Sequence, residues 1–178
     1  MFDKLSPKMF KVLNMFLLYP DKSFHLRQVA RIGCVSSSTA KRSLDELQRQ
    51  GFVVEERKAN LRLFTANREN QSFLQLKKLK NLEWVKKKKL VDAIVDQHTI
   101  SIVLFGSYAT GANSTDSDID LLVLTSGKKP IGLKALNGVK LQIIQKTAGE
   151  FRKLEKEDNP FYTEIISTGI ALFGRMPV

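Results

Sequence analysis

Two aspartates separated by a single residue, Asp118 and Asp120, open an apolar run and are the side chains best suited to chemistry. Side chains alternate along a strand, so both carboxylates are expected on one face, about 7 Å apart. They repel each other unless a cation lies between them. Mg²⁺ suits such a pair because it takes one or two protein carboxylates and fills its shell from water and phosphate oxygens. The pair predicts a site for Mg²⁺ and a phosphorylated ligand; the alternative is that the aspartates only cap a strand.

A Gly-Ser pair, Gly106 and Ser107, ends the preceding apolar run and precedes Asp118 by a polar, turn-rich stretch of ten residues. The run from 100 to 105 is typical of a buried strand. Glycine allows a ligand to approach the backbone closely, and the serine hydroxyl can donate to a phosphate oxygen. The pair predicts the phosphate-binding half of the same site.

The phrase FGSYATGANSTDSDIDL, residues 105–121, resembles the signature of the minimal nucleotidyltransferases of the DNA polymerase β superfamily. The resemblance implies that Gly106 and Ser107 bind a nucleoside triphosphate. It also implies that Asp118 and Asp120 are catalytic residues that bind the metal ions. A third carboxylate, on a later strand, completes the site in that family.

The position that matches this third carboxylate is Gln142, in the apolar strand pattern VKLQII of residues 139–144. An amide binds Mg²⁺ weakly and cannot act as a base. Two carboxylates lie nearby in sequence, Glu150 and Glu164, both within helical patterns. The segment 125–138 is short for the helix that the family places between these strands. We therefore expect a domain that binds the nucleotide, with active transfer as the alternative.

The first part of the chain has three helical patterns followed by two short strand patterns. The helices are expected over residues 7–19 and 24–32, and from the serines at 36–38 to Gln50, where Gly51 ends the third. The strand patterns lie at residues 52–54 and 61–65. A basic tip joins them, with the sequence Arg57-Lys58-Ala59-Asn60.

This order, with the phrase FHLRQVARIGCVSSSTAKRSLDELQRQGFV, resembles the winged helix-turn-helix modules of prokaryotic transcription regulators over about residues 6–68. In such modules the third helix enters the major groove and the wing contacts the DNA backbone or minor groove. The resemblance implies that the base contacts come from Ser37, Ser38, Lys41 and Arg42. It implies phosphate contacts from Arg57, Lys58 and Arg62. The alternative is a platform for protein interaction or dimerisation.

The charge distribution favours DNA binding by the first half. Residues 1–98 carry 20 Lys and Arg against 10 Asp and Glu, and residues 99–178 carry 9 against 8. A polyanion-binding front module and a nearly neutral back module are expected. The four lysines at 86–89 are interpreted as a solvated helix face, or alternatively as a further phosphate contact.

These patterns predict an α+β protein with an N-terminal winged helix-turn-helix over 1–68 and a connecting helix over 69–98. A small mixed-sheet nucleotidyltransferase-like domain with flanking helices follows over 99–178. We expect a DNA-binding, transcription-regulator-like protein with Mg²⁺ and a nucleoside triphosphate as ligands and double-stranded DNA as partner. The alternative is an active enzyme that transfers a nucleoside monophosphate to a toxin-like protein partner, as an antitoxin, or to a small-molecule hydroxyl.

Two further expectations concern the cellular location and the oligomeric state. The single cysteine, Cys34, excludes an intrachain disulfide and fits a reducing cytoplasm. No apolar run approaches the roughly 18 residues of a membrane span. A homodimer is expected because helix-turn-helix proteins read paired half-sites.

Overall fold

The structure, a computed structural model, describes residues 6–58, 61–127 and 130–177. By its contacts the chain divides into two compact units, residues 1–77 and 78–178. The described residues combine helices with two small sheets, which confirms the predicted α+β class. Within them, no helix has the length and apolar character that crossing a membrane requires.

The N-terminal unit begins with three helices, and a side chain caps the start of each. Ser6, His25 and Ser36 each accept a hydrogen bond from the backbone N–H three residues later. The third helix buries one face at Ala40, Leu44 and Leu47, the spacing that the sequence predicts. The bounds are α1 (Pro7–Leu18), α2 (Leu26–Ile32) and α3 (Ser37–Arg49).

A three-stranded antiparallel sheet completes this unit, with the strand order β1-β3-β2. Its strands are β1 (Phe24–His25), β2 (Val53–Lys58) and β3 (Leu61–Ala66). Phe64 on β3 pairs with Phe24 and is buried in the core that the helices enclose. Helix α4 (Gln71–Lys87) follows, and its Phe73 belongs to the same core.

The C-terminal unit contains a five-stranded mixed sheet with the order β6-β7-β5-β4-β8. Strands β5 and β7 are parallel, and the other neighbours are antiparallel. The strands are β4 (Thr99–Phe105), β5 (Ile119–Thr125), β6 (Ala135–Leu136), β7 (Val139–Lys146) and β8 (Ile170–Phe173). The helices are α5 (Gly106–Thr110), α6 (Ala148–Lys156) and α7 (Pro160–Thr168).

Both faces of this sheet are covered, because the side chains of its central strands alternate between two cores. Leu121 and Val123 of β5 pack with Val85, Leu90 and neighbouring residues of that segment. On the opposite face Leu122 and Leu124 pack with residues of α6 and α7. The central strands β4 and β5 are therefore buried on both sides and form a rigid support for the turn that joins β4 to α5.

Two details differ from the predicted elements, and a third agrees. Residues 24 and 25 form a strand that pairs with β3, so α2 starts at Leu26. Helix α4 ends at Lys87, and turns lead to β4, so the predicted connecting helix does not continue to residue 98. The described part of 125–138 contains no helix, as its length predicts, and β6 lies there.

Candidate functional site

A tight turn connects β4 to α5 at Gly106, beside the carboxylate of Asp120. Gly106 has a φ of +66°, a backbone conformation that residues other than glycine rarely adopt. A Cβ added there would lie 2.5 Å from Oδ2 of Asp120. Only glycine leaves room for the carboxylate and the turn together. Ser107 follows as the second residue of α5 and is half-buried.

Asp120 lies on β5 between Phe105 of β4 and Gln142 of β7. Its alternation with Leu121 places it on the face that α6 and α7 cover. Asp118 lies immediately before the strand. Gln142 is in register with Asp120, so the residue next to the aspartate pair on the parallel strand is an amide.

Neither aspartate carboxylate of the pair has a hydrogen bond or ion pair within the part of the chain that the structure describes, although both residues are half-buried. Partial burial raises the pKa of Asp120, and the negative charges of Asp118 and Glu164 raise it further. The environment of Asp120 therefore disfavours its negative charge, and no basic side chain among the described residues offsets this effect. A divalent cation or a hydrogen-bond donor on a ligand would supply that compensation.

The loop between Ser107 and Asp118 is held by a buried amide, that of Asn81 on α4. Its Nδ2 donates to the backbone oxygen of Tyr108, at 2.9 Å, and to Oδ1 of Asn113, at 2.8 Å. Asn81 is 4% exposed. Sequence reasoning missed this residue, because the helix also contains Ser72, Gln75 and Glu83 and its pattern does not single out Asn81.

The two glutamates that lie near the site in sequence have different surroundings. Glu150 closes a capping box at the start of α6, where its Oε2 accepts hydrogen bonds from the backbone N–H and the hydroxyl of Thr147. Glu164 lies on α7, is exposed, and makes no ion pair among the described residues. Its charge reaches Asp120, whereas Glu150 serves its own helix.

The residues predicted to read DNA bases lie together on the first half of α3. Ser37, Ser38, Lys41 and Arg42 are all exposed, and the opposite face of the helix packs in the core. The hydroxyl of Ser38 shares a hydrogen bond with that of the capping residue Ser36. Their role in DNA contact stays a prediction.

The three basic residues predicted for the hairpin are not equivalent. Arg57 and Lys58 are exposed and lead to Ala59 and Asn60, which lie outside the described residues. Arg62 instead forms two 2.7 Å hydrogen bonds to the carboxylate of Glu55. Its guanidinium also lies over the ring of Phe64, 5.2 Å from the centroid. Arg62 thus has a structural role in the hairpin whether or not it contacts DNA.

A glycine turn after a buried strand, with two aspartates at the neighbouring strand, defines a nucleotidyltransferase-type domain. The sequence model described as "Polymerase beta, Nucleotidyltransferase" matches residues 88–177, just over half of the chain. The chain therefore belongs to this family, which confirms that part of the sequence prediction.

Comparisons with curated proteins and with solved structures give no further indication of function. No curated protein matches the sequence. Among solved structures, the crystal structure of Pseudomonas aeruginosa HmgR aligns with 84% of this chain and 63% of that chain, at 13% identity and a TM-score of 0.30. The chain thus spans less than two thirds of that protein. A TM-score of this size carries no argument about fold or function.

Proposed function

We propose that this chain is a DNA-binding, transcription-regulator-like protein whose C-terminal domain binds a nucleoside triphosphate together with Mg²⁺. One observation carries the nucleotide half of the proposal. The turn at Gly106 has no side chain at this residue and lies directly beside Asp120. The carboxylates of Asp118 and Asp120 both lack hydrogen-bond and ion-pair partners among the described residues. Such a turn admits phosphate oxygens, and such carboxylates are suited to a hard cation.

The residues present fit the cation that the family uses. Asp118 and Asp120 supply two carboxylates, and Mg²⁺ takes its remaining ligands from water and phosphates. Among the described residues no three acidic, His or Cys side chains already converge on one point, so the protein alone offers only a partial shell. When bound, Mg²⁺ would neutralise the charge on the triphosphate.

The protein groups have separable tasks in this proposal. Gly106 provides the space in which the triphosphate approaches the backbone, and Ser107 donates its hydroxyl to a phosphate oxygen. Asp118 and Asp120 hold the cation against the phosphates. Asn81 fixes the loop between Ser107 and Asp118 through its hydrogen bonds to Tyr108 and Asn113. It thereby maintains the distance between the glycine turn and the aspartate pair.

A second candidate function is nucleotidyl transfer, and the complete aspartate pair in a nucleotidyltransferase fold favours it. An acceptor hydroxyl would form a bond to the α-phosphorus, the bond from that phosphorus to the β-phosphate oxygen would break, and pyrophosphate would leave. The hydroxyl proton needs a base, and the amide of Gln142 cannot accept it. The acceptor would be a toxin-like partner protein or a small-molecule hydroxyl.

Transfer of label from α-labelled nucleoside triphosphates tests both candidates. The purified full chain would be incubated with Mg²⁺ or Mn²⁺ and cell lysate as acceptor, beside the Asp118→Asn/Asp120→Asn variant. Equilibrium binding of the labelled nucleotide would be measured on the same samples. Binding without transfer supports the first candidate, and binding with transfer the second. If the wild type and the variant bind equally, neither candidate stands.

The DNA half of the proposal rests on α3 and the hairpin of the N-terminal unit. Four polar or basic side chains are exposed on the first half of α3, and the order of helices and strands matches that of a winged helix-turn-helix. Arg57 and Lys58 extend the basic surface at the end of the hairpin. We propose duplex DNA as the partner and a homodimer as the form that binds it, because such modules read paired half-sites.

A salt titration of binding to duplex DNA fragments tests this half. Lys41→Gln/Arg42→Gln should weaken binding at least about tenfold, because two charges leave the proposed groove-facing surface. Lys153→Gln/Lys156→Gln removes two exposed charges from α6 and is the matched control. Equal losses in both variants would mean that only net charge matters. The absence of salt-dependent binding in the wild type would exclude the DNA proposal.

A further inference from the structure

We propose that a cavity on the sheet face covered by α6 and α7 is a second ligand site, which binds a small organic acid with an apolar body. The cavity has a volume of about 360 Å³, and pockets for small molecules typically measure about 300–1,000 Å³. Its walls come from the start of β4, the end of β5, the two helices and the chain after β8. The inference does not depend on the proposed nucleotide site.

This cavity lies at the opposite end of the sheet from the glycine turn. Ser101 of β4 and Leu124 of β5 line it and are paired in the antiparallel ladder. The pair formed by Phe105 and Asp120 lies four residues further along both strands. At the usual rise per residue this separation is about 13 Å. The cavity is therefore distinct from the place proposed for the triphosphate.

The chain after β8 forms one wall of the cavity because Ser101 holds it there. The hydroxyl of this buried serine lies 3.2 Å from the backbone oxygen of Phe173 and 2.7 Å from that of Arg175, and donates to them. Between these two residues Gly174 has a φ of +68°, and a Cβ there would collide with the backbone oxygen of Ile100. The path of this segment is thus set by direct contacts with β4.

The interior of the cavity is apolar and aromatic. Phe151 and Leu124 belong to the core beneath α6 and α7, and both also line the cavity. The ring of Tyr162 lies against that of Phe151, with 5.2 Å between centroids. Apolar surface of this kind gains free energy when a ligand replaces the water that covers it. The body of the ligand should therefore be an apolar ring or a short alkyl chain.

The charged residues that line the cavity favour an anionic ligand. Arg152 of α6 and Arg175 after β8 are exposed, and neither guanidinium has a carboxylate partner in the described part of the chain. Glu155 supplies the one carboxylate among the described residues that line the cavity. Burial, the charge of Glu155 and a hydrogen bond to its carboxylate raise the pKa of Tyr162, so this carboxylate already has a partner. Two guanidinium groups against one carboxylate leave a positive charge, and arginine binds carboxylates through paired N–H groups.

Matched pairs of an acid and its amide test both parts of the inference. The probes are benzoate, naphthoate and octanoate, each beside its neutral amide, titrated into the isotope-labelled full chain without Mg²⁺ or nucleotide. Backbone amide resonances of residues 100–101, 148–155 and 174–176 should shift. At least one acid should bind at least about tenfold more tightly than its amide, because a charged hydrogen bond is lost in the amide. An absence of shifts with every probe, or equal affinities within each pair, would overturn the inference.

Three variants locate the binding. Arg152→Gln/Arg175→Gln should weaken binding of the acid at least about tenfold and bring its affinity close to that of the amide. Lys153→Gln/Lys156→Gln removes the same charge from exposed positions of α6 that do not line the cavity, and it should bind like the wild type. Ala148→Leu, at the first residue of α6, should weaken acid and amide alike because its side chain fills the cavity.

The outcomes that contradict the inference differ for each variant. If the acid binds the arginine and lysine variants alike, these arginines do not hold it and the assignment fails. Unchanged affinity in Ala148→Leu, with thermal unfolding like that of the wild type, would place the ligand outside the cavity. Asp118→Asn/Asp120→Asn should keep full affinity for the acid, and a loss there would move the acid to the aspartate pair and overturn the proposal of a second site.

Discussion

Gly106 shows how one residue can couple backbone conformation to site chemistry. Its positive φ allows the chain to turn from β4 into α5, and its missing side chain leaves the carboxylate of Asp120 in place. These two requirements are separate. The first is a steric preference of the backbone, and the second depends on a residue 14 positions later in the chain.

We expect Gly106→Ala to abolish nucleotide binding and to lower the free energy of unfolding. The positive φ alone costs about 1–2 kcal/mol for alanine. The new Cβ must also displace Oδ2 of Asp120, which is 2.5 Å from its position. Nucleotide binding and thermal unfolding of the variant would be measured.

Gly138→Ala is the matched control for this prediction. Gly138 has a φ of +82°, but no described atom lies within 4 Å of its added Cβ. It should lose stability through the backbone alone and keep nucleotide binding. Equal effects in the two variants would show that the contact with Asp120 has no functional consequence.

The two arginines of the hairpin show that sequence does not reveal the interaction partner of a charged residue. Arg57 and Arg62 both occur in a basic stretch, and both were predicted to contact phosphate. The structure distinguishes them by their distance from Glu55: Arg62 forms two 2.7 Å hydrogen bonds to its carboxylate, whereas Arg57, opposite Arg62, lies 3.7 Å from it. A sequence shows the charge of a residue, but the partner of that charge depends on tertiary structure.

Helix α4 shows that the buried face of a helix also depends on tertiary structure. From the sequence alone, the spacing of the apolar residues Phe73, Leu76, Leu79 and Leu82 predicts a buried stripe. The structure buries positions 73, 77, 81 and 85 most deeply, so that Lys77 and Asn81 are buried. Leu76 and Leu82 are half-buried and pack against the cores, whereas Leu79 is 62% exposed. Counting apolar residues therefore misplaced part of the stripe, because the two polar side chains on it have tertiary interactions that sequence does not show.

Lys77 gives this helix a pH dependence. Burial lowers its pKa to about 8, with Asp21 opposing and Arg68 adding to the shift. The unfolded chain keeps a value near 10.5, so between pH 8 and 10.5 it binds more protons than the folded protein. Stability should therefore rise with pH in this window, as the cost of the buried charge disappears.

We expect Lys77→Met to stabilise the protein at pH 7 by up to about 3 kcal/mol, because it removes a desolvated charge. The gain should shrink as pH rises from 8 to 10.5. Chemical unfolding at several pH values measures it. Lys88→Met, at an exposed position after α4, should show neither effect. A variant less stable than the wild type at pH 7 would mean that the partners of Lys77 outweigh its desolvation.

Asn81→Leu tests the link between α4 and the loop of the site. The substitution keeps helix propensity but leaves the oxygens of Tyr108 and Asn113 without their donor, which should cost about 1–3 kcal/mol. Hydrogen exchange of residues 108–117 should accelerate, and nucleotide affinity should fall. Gln75→Leu, on the exposed side of the same helix, is the control. Unchanged exchange in the loop would contradict the positioning role of Asn81.

The parts of the fold that sequence predicted well are those fixed by local rules. The start of α3 at its serine cap and the turn at Gly106 follow from capping and spacing. The position of Gln142 beside Asp120 was instead implied by the family resemblance. The strand at residues 24 and 25 forms only because β3 lies beside it.

The whole molecule is electrostatically divided. Residues 1–98 carry a net charge of +10, and residues 99–178 carry +1. The two carboxylates of the proposed nucleotide site have no partner in the part of the chain that the structure describes. The two proposed ligands are both polyanions, but the protein would hold them by different means. DNA would be bound largely by lysine and arginine at phosphates, with release of counterions, and the nucleotide through a cation and a glycine turn.

The two affinities should therefore respond differently to salt. Between 50 and 200 mM KCl, DNA binding should fall by roughly three orders of magnitude if six or more phosphates are contacted. Nucleotide binding at constant Mg²⁺ should change much less, because in the proposal the bound cation, rather than a surface of lysine and arginine, holds the phosphates. In a plot of log DNA affinity against log salt concentration, Arg57→Gln/Lys58→Gln should reduce the magnitude of the slope by about 2. The same variant should leave the nucleotide affinity unchanged. Fluorescence anisotropy with labelled duplex and labelled nucleotide measures both on one preparation. Parallel salt dependences, or a nucleotide affinity lowered by the hairpin variant, would place both ligands on the same basic surface and contradict a division of labour between the two halves of the chain.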